Sequence, residues 1–211
     1  MQGTERFMPN YQKEMETILA DPEVKGKRLL LHSCCAPCSS YVLTLLRGTL
    51  RITVFYYNPN ITDDDEYKKR VTEQIRLIGE LNRLDDGAYP IEYVIGDYAP
   101  DDFFAIAEGY EQCPEGGERC FRCYELRLKE SVRMAAEGSY DFVTTTLSIS
   151  PLKNAEKLNE IGMRLAHDAG VRYLPSDFKK KDGYKHSIEL SKQYGLYRQD
   201  YCGCVFSKRH I

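Results

Sequence analysis

Short apolar, β-rich runs alternate with amphipathic helical segments along most of this chain. The first runs are KRLLLHS and LRITVFYYN, and they precede a segment from Thr62 to about Asn82 with apolar residues at helical spacing. The alternation continues with PIEYVIG, APDDFFAIAEG, a helix from about Arg119 to Glu137, DFVTTT and PLKNAEKLNEIGMRLAHDAG. Repeated βα units predict an α/β fold, a parallel sheet flanked by helices on both faces.

The length and composition fit one hydrophobic core. The chain has 211 residues, of which 42% are hydrophobic and 29% charged. We predict a single domain over 1–211, in which 1–25 is a leading helical extension containing NYQKEMETILAD. No internal repeat, low-complexity tract or linker-like segment divides the sequence.

The N-terminal sequence and the charge bear on location and partners. MQGTERFMPN lacks the charged-then-apolar pattern of a secretion signal, and no apolar run approaches the roughly 20 residues that span a bilayer. The sequence therefore predicts a soluble, cytoplasmic protein with no membrane partner. The net charge of −3 argues against coating nucleic acid by bulk electrostatics but leaves room for local basic patches.

Eight cysteines in a reducing compartment indicate metal or redox chemistry rather than a disulfide framework. The first group, SCCAPCSS, places Cys34 and Cys35 in the turn after the first predicted strand, with Pro37 suited to the first position of the following helix. Ligands of parallel sheets bind beyond the carboxyl ends of the strands, and a helix N-terminus lowers the pKa of nearby thiols. Both cysteines are candidate ligands or nucleophiles; a buried unreactive thiol and a strained vicinal disulfide are the alternatives.

Two further cysteine pairs have spacings with chemical meaning. Cys120 and Cys123 form a C-x-x-C pair at the entry to a helix, which suits two ligands of one metal or cluster. A thioredoxin-like dithiol should instead follow the first strand of a βαβ unit. Cys202 and Cys204 flank Gly203, and such a C-x-C pair suits either two metal ligands or a strained, labile disulfide. Lability suits catalysis better than structure.

Polar residues near the predicted strand ends are candidate substrate contacts. They are Asn58, Asn60, Thr145, Thr146, Lys179, Lys180, Lys185 and Arg198. The hydroxyls suit ribose or phosphate, and the basic residues alternate with aromatic rings that suit exposed bases. A structural turn, the β-propensity of threonine and a solvated basic turn are the respective alternatives. Glu66 and Arg70 line the same strand-end opening or form a surface ion pair. His32 donates a proton, forms a hydrogen bond to a metal-bound sulfur, or is a hydrogen-bonded core histidine.

Longer motifs connect these residues to a known family. The chain carries, in this order, LLLHSCCAPCS, VFYYNPNI with EYKKR, PEGGERCFRCYELRL, FVTTTLSISPLKN and DGYKHSIELSKQYGLYRQDYCGCVFS. With these motifs it resembles the QueH-type epoxyqueuosine reductases from about Leu29 to Ser207. The resemblance implies a HUP-like fold, shared with adenine-nucleotide hydrolases and tRNA-modifying thiolases. It also implies an iron-sulfur oxidoreductase that removes the epoxide oxygen from epoxyqueuosine at the tRNA wobble position.

The same resemblance implies roles for individual cysteines. The implied ligands of a [4Fe-4S] cluster are Cys34, Cys35, Cys120 and Cys123, and an additional iron stays open. Cys202 and Cys204 are then a redox-active disulfide. Cys38 lies in the family's motif without an assigned role, and Cys113 stands where the family usually has an acidic residue. Phe178 replaces a frequent tryptophan, which bears on packing or base stacking.

The implied partners are tRNA carrying epoxyqueuosine and an electron donor that the sequence does not identify. The sequence shows no nicotinamide, flavin or cobalamin fingerprint, and SCCAPCSS lacks the glycines and lysine of a P-loop. Two other classes stay open: a zinc-stabilised nucleic-acid-binding module and a thiol-disulfide oxidoreductase acting on proteins. A structural zinc site has no need of a labile C-x-C pair, and the second class should stay active without metal.

Overall fold

The computed structural model describes residues 9–208, which form a parallel sheet between two layers of helices. The strands are β1 (Arg28–His32), β2 (Arg51–Tyr56), β3 (Glu92–Ile95), β4 (Phe142–Thr145) and β5 (Arg172–Tyr173). Their order is β3-β2-β1-β4-β5, and each neighbouring pair is parallel. The predicted α/β fold with a helix-flanked parallel sheet is confirmed.

Seven α-helices connect and cover these strands within the described part of the chain. They are α1 (Tyr11–Leu19), α2 (Ala36–Leu46), α3 (Asp64–Asn82), α4 (Pro100–Ala107), α5 (Glu118–Glu137), α6 (Ala155–Asp168) and α7 (Gly183–Gln193). Short 3-10 turns occupy Pro22–Val24, Thr146–Ile149 and Val205–Ser207. Between residues 9 and 208, no helix is both long and apolar enough to cross a bilayer.

The central strand is buried on both faces, because alternate residues of a strand point to opposite sides of the sheet. Leu29 and Leu31 belong to one core cluster with residues of α1, α2 and α3. Leu30 belongs to a second cluster with residues of α5 and α6. All three leucines are fully buried, so β1 fixes both helix layers at once.

Side-chain caps set the helix starts, and two starts differ from the predicted ones. Asn154 Oδ1 accepts a hydrogen bond from Lys157 N at 2.9 Å, so α6 begins at Ala155 and the preceding PLK stays a loop. Cys35 is the N-cap of α2, which places Pro37 at the second helical position rather than the first. Neither β5 nor α7 is among the elements predicted from the sequence. A two-residue strand such as β5 is too short to show the alternation of apolar and polar residues that predicts a strand.

The predicted extension 1–25 is partly visible. Its residues 1–8 lie outside the described part of the chain, as do residues 209–211 at the other end. Within it, α1 buries Met15, which is 1% exposed, in the same core cluster as α2 and α3.

The order of the strands places a crevice between β1 and β4. The chain leaves β1 towards β2 on one side and reaches β4 on the other, so the loops after β1 and β4 diverge from a switch point. Those loops meet there, since Cys34 N donates a hydrogen bond to Thr146 Oγ1 at 3.5 Å. The first cysteine motif therefore lies at the position that this sheet topology favours for a ligand.

Two glycines inside helices should respond oppositely to alanine. A Cβ at Gly79 in α3 would meet only Arg83 Nη1, at 4.0 Å, whereas a Cβ at Gly162 in α6 would lie 2.2 Å from the buried Tyr173 ring. We expect Gly79→Ala to raise the free energy of unfolding by about 1 kcal/mol through helix propensity. Gly162→Ala should lower it by about 1–3 kcal/mol through overpacking. Urea unfolding measures both, and an unchanged or more stable Gly162→Ala protein would contradict this packing.

Candidate functional site

Three thiols gather where β1 ends and α2 begins. The Sγ atoms of Cys34, Cys35 and Cys38 all lie within 4.8 Å of one another, and those of Cys34 and Cys35 are 3.7 Å apart. Cys38 follows the N-cap Cys35 by three residues, so one helical turn brings it back to the same side. That spacing is the sequence signal that could have assigned Cys38 to the group.

The three thiols do not ionise alike. Hydrogen bonds from Cys35 and Cys38, helped by the charge of Arg127, hold the pKa of Cys34 well below its usual range. The hydrogen bond to Cys34, together with burial, raises the pKa of Cys35 to about 12, and that of Cys38 is raised for the same reasons. Cys34 is therefore the thiol of this group that loses its proton most easily, and a metal that binds there must displace the protons of the others.

Arg127 of α5 is a buried cation between the cysteine motifs. Its side chain is almost completely buried, and its Nη2 donates a hydrogen bond to Asn58 Oδ1. Burial opposes its charge, but Cys123, Cys34 and Cys202 outweigh that effect and raise the pKa of Arg127. Arg127 lines the same pocket as Cys34 and Cys202. It follows Cys123 by four residues on one helix face, a spacing that could have marked it in the sequence.

The C-x-x-C pair divides between two environments. Cys123 packs with Phe103, Ala107 and Cys204 in a small apolar cluster, and burial raises its pKa to about 12. The Sγ of Cys120 accepts a hydrogen bond from Gly116 N at 3.3 Å, and its side chain packs against the same core cluster as Cys34. None of the eight cysteines, all within residues 9–208, forms a disulfide bond in the structure.

The C-x-C segment is fixed by backbone geometry and by cations. Gly203 has a φ of 114°, and a Cβ there would lie 2.8 Å from Ile61 Cγ1, so only glycine fits. Arg70 donates to the carbonyls of Cys202 and Tyr201 at 3.1 and 3.3 Å and pairs with Glu66 at 2.6 Å. Arg70 and Glu66 therefore form a buried clamp on this segment rather than a surface ion pair.

A pocket of about 330 Å³ opens onto these groups. Its walls include the thiols of Cys34, Cys38 and Cys202 together with Arg127 and Lys153. Lys153 Nζ lies 3.2 Å from Cys202 Sγ and 3.3 Å from Glu115 Oε1. Lys153 lies in a loop after β4, and only its place beside the strand end could have marked it in the sequence.

The predicted substrate residues separate into buried and exposed sets. Asn58, Asn60, Thr145 and Thr146 are buried and contact protein groups. Asn58 Nδ2 donates to Ser33 O at 2.8 Å, and Asn60 Nδ2 lies 4.0 Å from Cys202 Sγ. Thr145 Oγ1 bonds His32 and caps Leu147 N, while Thr146 Oγ1 lies 3.8 Å from Cys34 Sγ. These four side chains therefore support the loops around the site through contacts with other protein groups.

The basic residues lie nearer to solvent. Lys180, Lys185 and Arg198 are exposed, and Arg198 also lines the pocket. Lys179 is paired with Asp177 at 2.5 Å. Phe178 is fully buried in the core, which removes the option that its ring stacks on a base.

His32 is a core histidine. Its Nδ1 lies 2.8 Å from Thr145 Oγ1, and its Nε2 donates to Tyr57 O at 3.1 Å. Burial and the charge of Arg127 lower its pKa to about 3. The ring is therefore neutral near pH 7 and does not serve as an acid there.

Buried polar atoms without hydrogen-bond partners gather around the thiols. Apart from Arg47 Nε, those found in the described chain belong to side chains at or beside the cysteine motifs: Tyr56 Oη, Asn60 Oδ1, Gln74 Nε2, Tyr124 Oη, Arg127 Nε and Gln199 Oε1. Four of these atoms are donors in the structure. Native proteins leave few such groups unsatisfied. The site therefore fits a bound group that supplies hydrogen-bond acceptors, and the sulfur atoms of an iron-sulfur cluster are such acceptors.

Tyr124→Phe should have opposite effects in metal-free and iron-loaded protein. The Tyr124 hydroxyl is buried without a partner near Cys120, Cys202 and Cys123. In metal-free protein its removal should leave the free energy of unfolding unchanged or raise it by up to about 1–3 kcal/mol, because an unsatisfied group disappears. In iron-loaded protein the same change should speed iron loss to a chelator, because a donor to the bound group is lost.

Tyr57→Phe is the matched control, since its hydroxyl donates to Asp102 Oδ2 at 3.3 Å away from the thiols. Its loss should leave the chelation rate unchanged. Chemical unfolding and the rate of iron release measure the two effects. Equal rates of iron release from wild type and Tyr124→Phe would show that the Tyr124 hydroxyl does not donate to the bound group.

Comparisons with known proteins identify a family to which this chain is similar. The family model described as epoxyqueuosine reductase QueH matches residues 29–210. The chain is 41% identical over 202 residues to the epoxyqueuosine reductase QueH of Staphylococcus epidermidis, covering 94% of this chain and 84% of the relative. It is 37% identical to that of Streptococcus pyogenes serotype M1 (95% and 78%) and 33% identical to that of Thermotoga maritima (85% and 89%).

A solved structure supports the fold. The U34-tRNA thiolase NcsA from Methanococcus maripaludis, solved with its [4Fe-4S] cluster, superposes with a TM-score of 0.53 at 13% identity, covering 90% of this chain and 64% of that one. This likeness shows that the two chains share the arrangement of the sheet and its helices. The family model and the relatives each span most of the chain, so this protein belongs to the epoxyqueuosine reductase QueH family.

Proposed function

We propose that this protein reduces epoxyqueuosine to queuosine at the wobble position of tRNA. Membership in the QueH family supports the reaction. The observation that carries it is one pocket lined by Cys34 and Cys202, from two of the cysteine motifs, and by the buried Arg127, with Cys123 of the third motif packed against Cys204. Within residues 9–208, no observation favours a purely structural zinc site or a protein disulfide reductase.

The C-x-C pair can supply what the reaction consumes. Removal of an epoxide oxygen to leave an alkene and water takes up two electrons and two protons. Oxidation of two thiols to one disulfide releases two electrons and two protons, so one turnover balances against one dithiol. Cys202 lines the pocket, which supports this pair as the source. The resulting disulfide must then be reduced by an external donor.

The proposed cofactor is a [4Fe-4S] cluster held by Cys34, Cys35, Cys120 and Cys123. The unsatisfied donors around the thiols and the buried charge of Arg127 support an anionic, sulfur-rich group at this place. When bound, it supplies a Lewis acid for the epoxide oxygen and a path for electrons. Cys38 competes for a ligand position because its sulfur lies in the same group as those of Cys34 and Cys35.

Serine substitutions should separate ligands from bystanders. We expect Cys34→Ser, Cys35→Ser, Cys120→Ser and Cys123→Ser each to deplete iron and sulfide in anaerobically purified protein, because each removes a thiolate ligand. Cys113→Ser is the control and should keep both, since Cys113 belongs neither to the C-x-x-C pair nor to the thiol group after β1. Iron and sulfide analysis reads the result.

Cys38→Ser decides between two ligand sets. Full iron retention supports the set with Cys120 and Cys123, whereas depletion by Cys38→Ser together with retention by Cys120→Ser or Cys123→Ser would exchange one ligand for Cys38. Stoichiometric zinc without sulfide in active wild-type protein would contradict the assignment of an iron-sulfur cluster.

The substrate must present one modified base to a pocket of about 330 Å³. A pocket of this size takes a single nucleobase with its substituent, so the wobble nucleotide has to leave the anticodon stack. The exposed Lys180, Lys185 and Arg198 support phosphate contacts beside the opening. Lys179 contributes less to this surface, because Asp177 already pairs with it.

The double variant Cys202→Ser/Cys204→Ser tests the proposed reaction. We expect iron and sulfide at the wild-type level with almost no conversion of epoxyqueuosine-containing tRNA under multiple turnover, because no dithiol remains to supply electrons. Nucleoside analysis of the tRNA measures conversion, and Cys113→Ser protein should convert it normally. Loss of iron in the double variant would make both residues ligands, and undiminished turnover would exclude the pair as the electron source.

A further inference from the structure

The two cysteines of the C-x-C pair occupy different surroundings. Cys202 lines the pocket. Cys204 is 7% exposed and packs with Phe103 and Ala107, and its Sγ lies 3.4 Å from Ser207 Oγ. Burial, followed by the nearby Cys202, raises the pKa of Cys204. A reagent in the pocket therefore reaches the Cys202 sulfur before it reaches the Cys204 sulfur.

Lys153 touches the sulfur that faces the pocket. Its Nζ lies 3.2 Å from Cys202 Sγ, within hydrogen-bond distance for a sulfur acceptor. The Lys153 side chain is 8% exposed, so its charge is poorly screened by solvent. Glu115 is its carboxylate partner, at 3.3 Å, and that side chain is 41% exposed. This contact fixes the position of the Cys202 sulfur at the wall of the pocket.

Other charged and titratable groups lie near Cys202 and also act on its sulfur. They are Glu115, Arg70, Arg127, Tyr124, Cys123 and Cys204. Arg70 contacts the carbonyl of Cys202 rather than its sulfur, and Arg127 is bonded to Asn58. Lys153 is the cation with a direct contact to Cys202 Sγ among the hydrogen bonds of the described chain.

We propose that Lys153 is a positioning residue that holds the Cys202 sulfur at the wall of the pocket, so that Cys202 reacts first and Cys204 resolves. This division of roles deepens the proposed function, since it assigns an order to the pair that would supply electrons. The order is a property of the two thiols and can be measured without the tRNA substrate.

Oxidised glutathione exposes the order in two balanced steps. The Cys202 thiolate attacks one sulfur of the glutathione disulfide, which forms a mixed disulfide at Cys202 and releases one glutathione thiolate. The Cys204 thiol then loses its proton and displaces the second glutathione, which leaves a Cys202–Cys204 disulfide. One protein dithiol and one glutathione disulfide thus become one protein disulfide and two glutathiones.

The test uses full-length, anaerobically purified, iron-loaded protein with oxidised glutathione, followed by peptide mass spectrometry. Cys204→Ser should accumulate one glutathione at Cys202, whereas Cys202→Ser should form an adduct at Cys204 at least about tenfold more slowly, because Cys204 is buried away from the pocket. In the Cys204→Ser background, Lys153→Met should slow adduct formation at Cys202 about tenfold, because the sulfur loses the contact that positions it.

Lys153→Arg should restore most of the rate, because it keeps the charge. Lys157→Met is the matched control: Lys157 pairs with Glu160 at 2.9 Å on α6, and its loss should leave the rate at Cys202 unchanged. Lys153→Gln replaces Lys153→Met if the latter does not fold. Equal rates of adduct formation at Cys202 with and without the Lys153 contact, or faster adduct formation at Cys204, would overturn the proposal. Neither outcome affects the reductase activity itself, which the tRNA conversion measures separately.

Discussion

Arg127 is a buried cation at the centre of this protein, and a buried cation needs negative charge close by. Removing a guanidinium from water costs several kcal/mol even after the protein relaxes. Its hydrogen bond to the neutral Asn58 does not balance the charge, and the groups that favour the cation are the thiols of Cys123, Cys34 and Cys202. The helix that carries Arg127 is therefore best stabilised when those thiols are ionised or hold an anionic metal group. Folding and loading of the site are linked through this one side chain.

The parallel sheet makes the convergence possible. Strand β1 fixes the first cysteine motif at its carboxyl end, and β4 ends beside it with Thr145 and Thr146. Helix α5 packs under the same edge and carries Arg127 together with the C-x-x-C pair. The C-terminal segment then returns over the pocket, where the Arg70–Glu66 pair holds its backbone. Each motif is distant from the others in sequence, so the sheet edge, rather than local spacing, brings them together.

The sequence predicts the repeating elements and the place of the first motif well, because periodicity and strand-end chemistry are local properties. It does not reveal Lys153, whose importance comes from its contact with Cys202 across the chain. It also misleads about Asn58, a candidate substrate contact whose amide is occupied by Ser33 O and Arg127. Polar residues at strand ends look alike in sequence whether they face a ligand or support the frame. Only burial and hydrogen-bond partners separate the two cases, and both depend on the assembled fold.

Gly203 explains how two cysteines one residue apart can have different chemistry. In an extended strand, residues i and i+2 point to the same face, which would expose Cys202 and Cys204 alike. The positive φ of Gly203 turns the backbone between them, and the close approach of Ile61 excludes any side chain at the turn. One sulfur then faces the pocket beside Lys153, and the other enters an apolar cluster with Phe103. The turn at Gly203 therefore gives the two thiols different access from the pocket, although a single residue separates them.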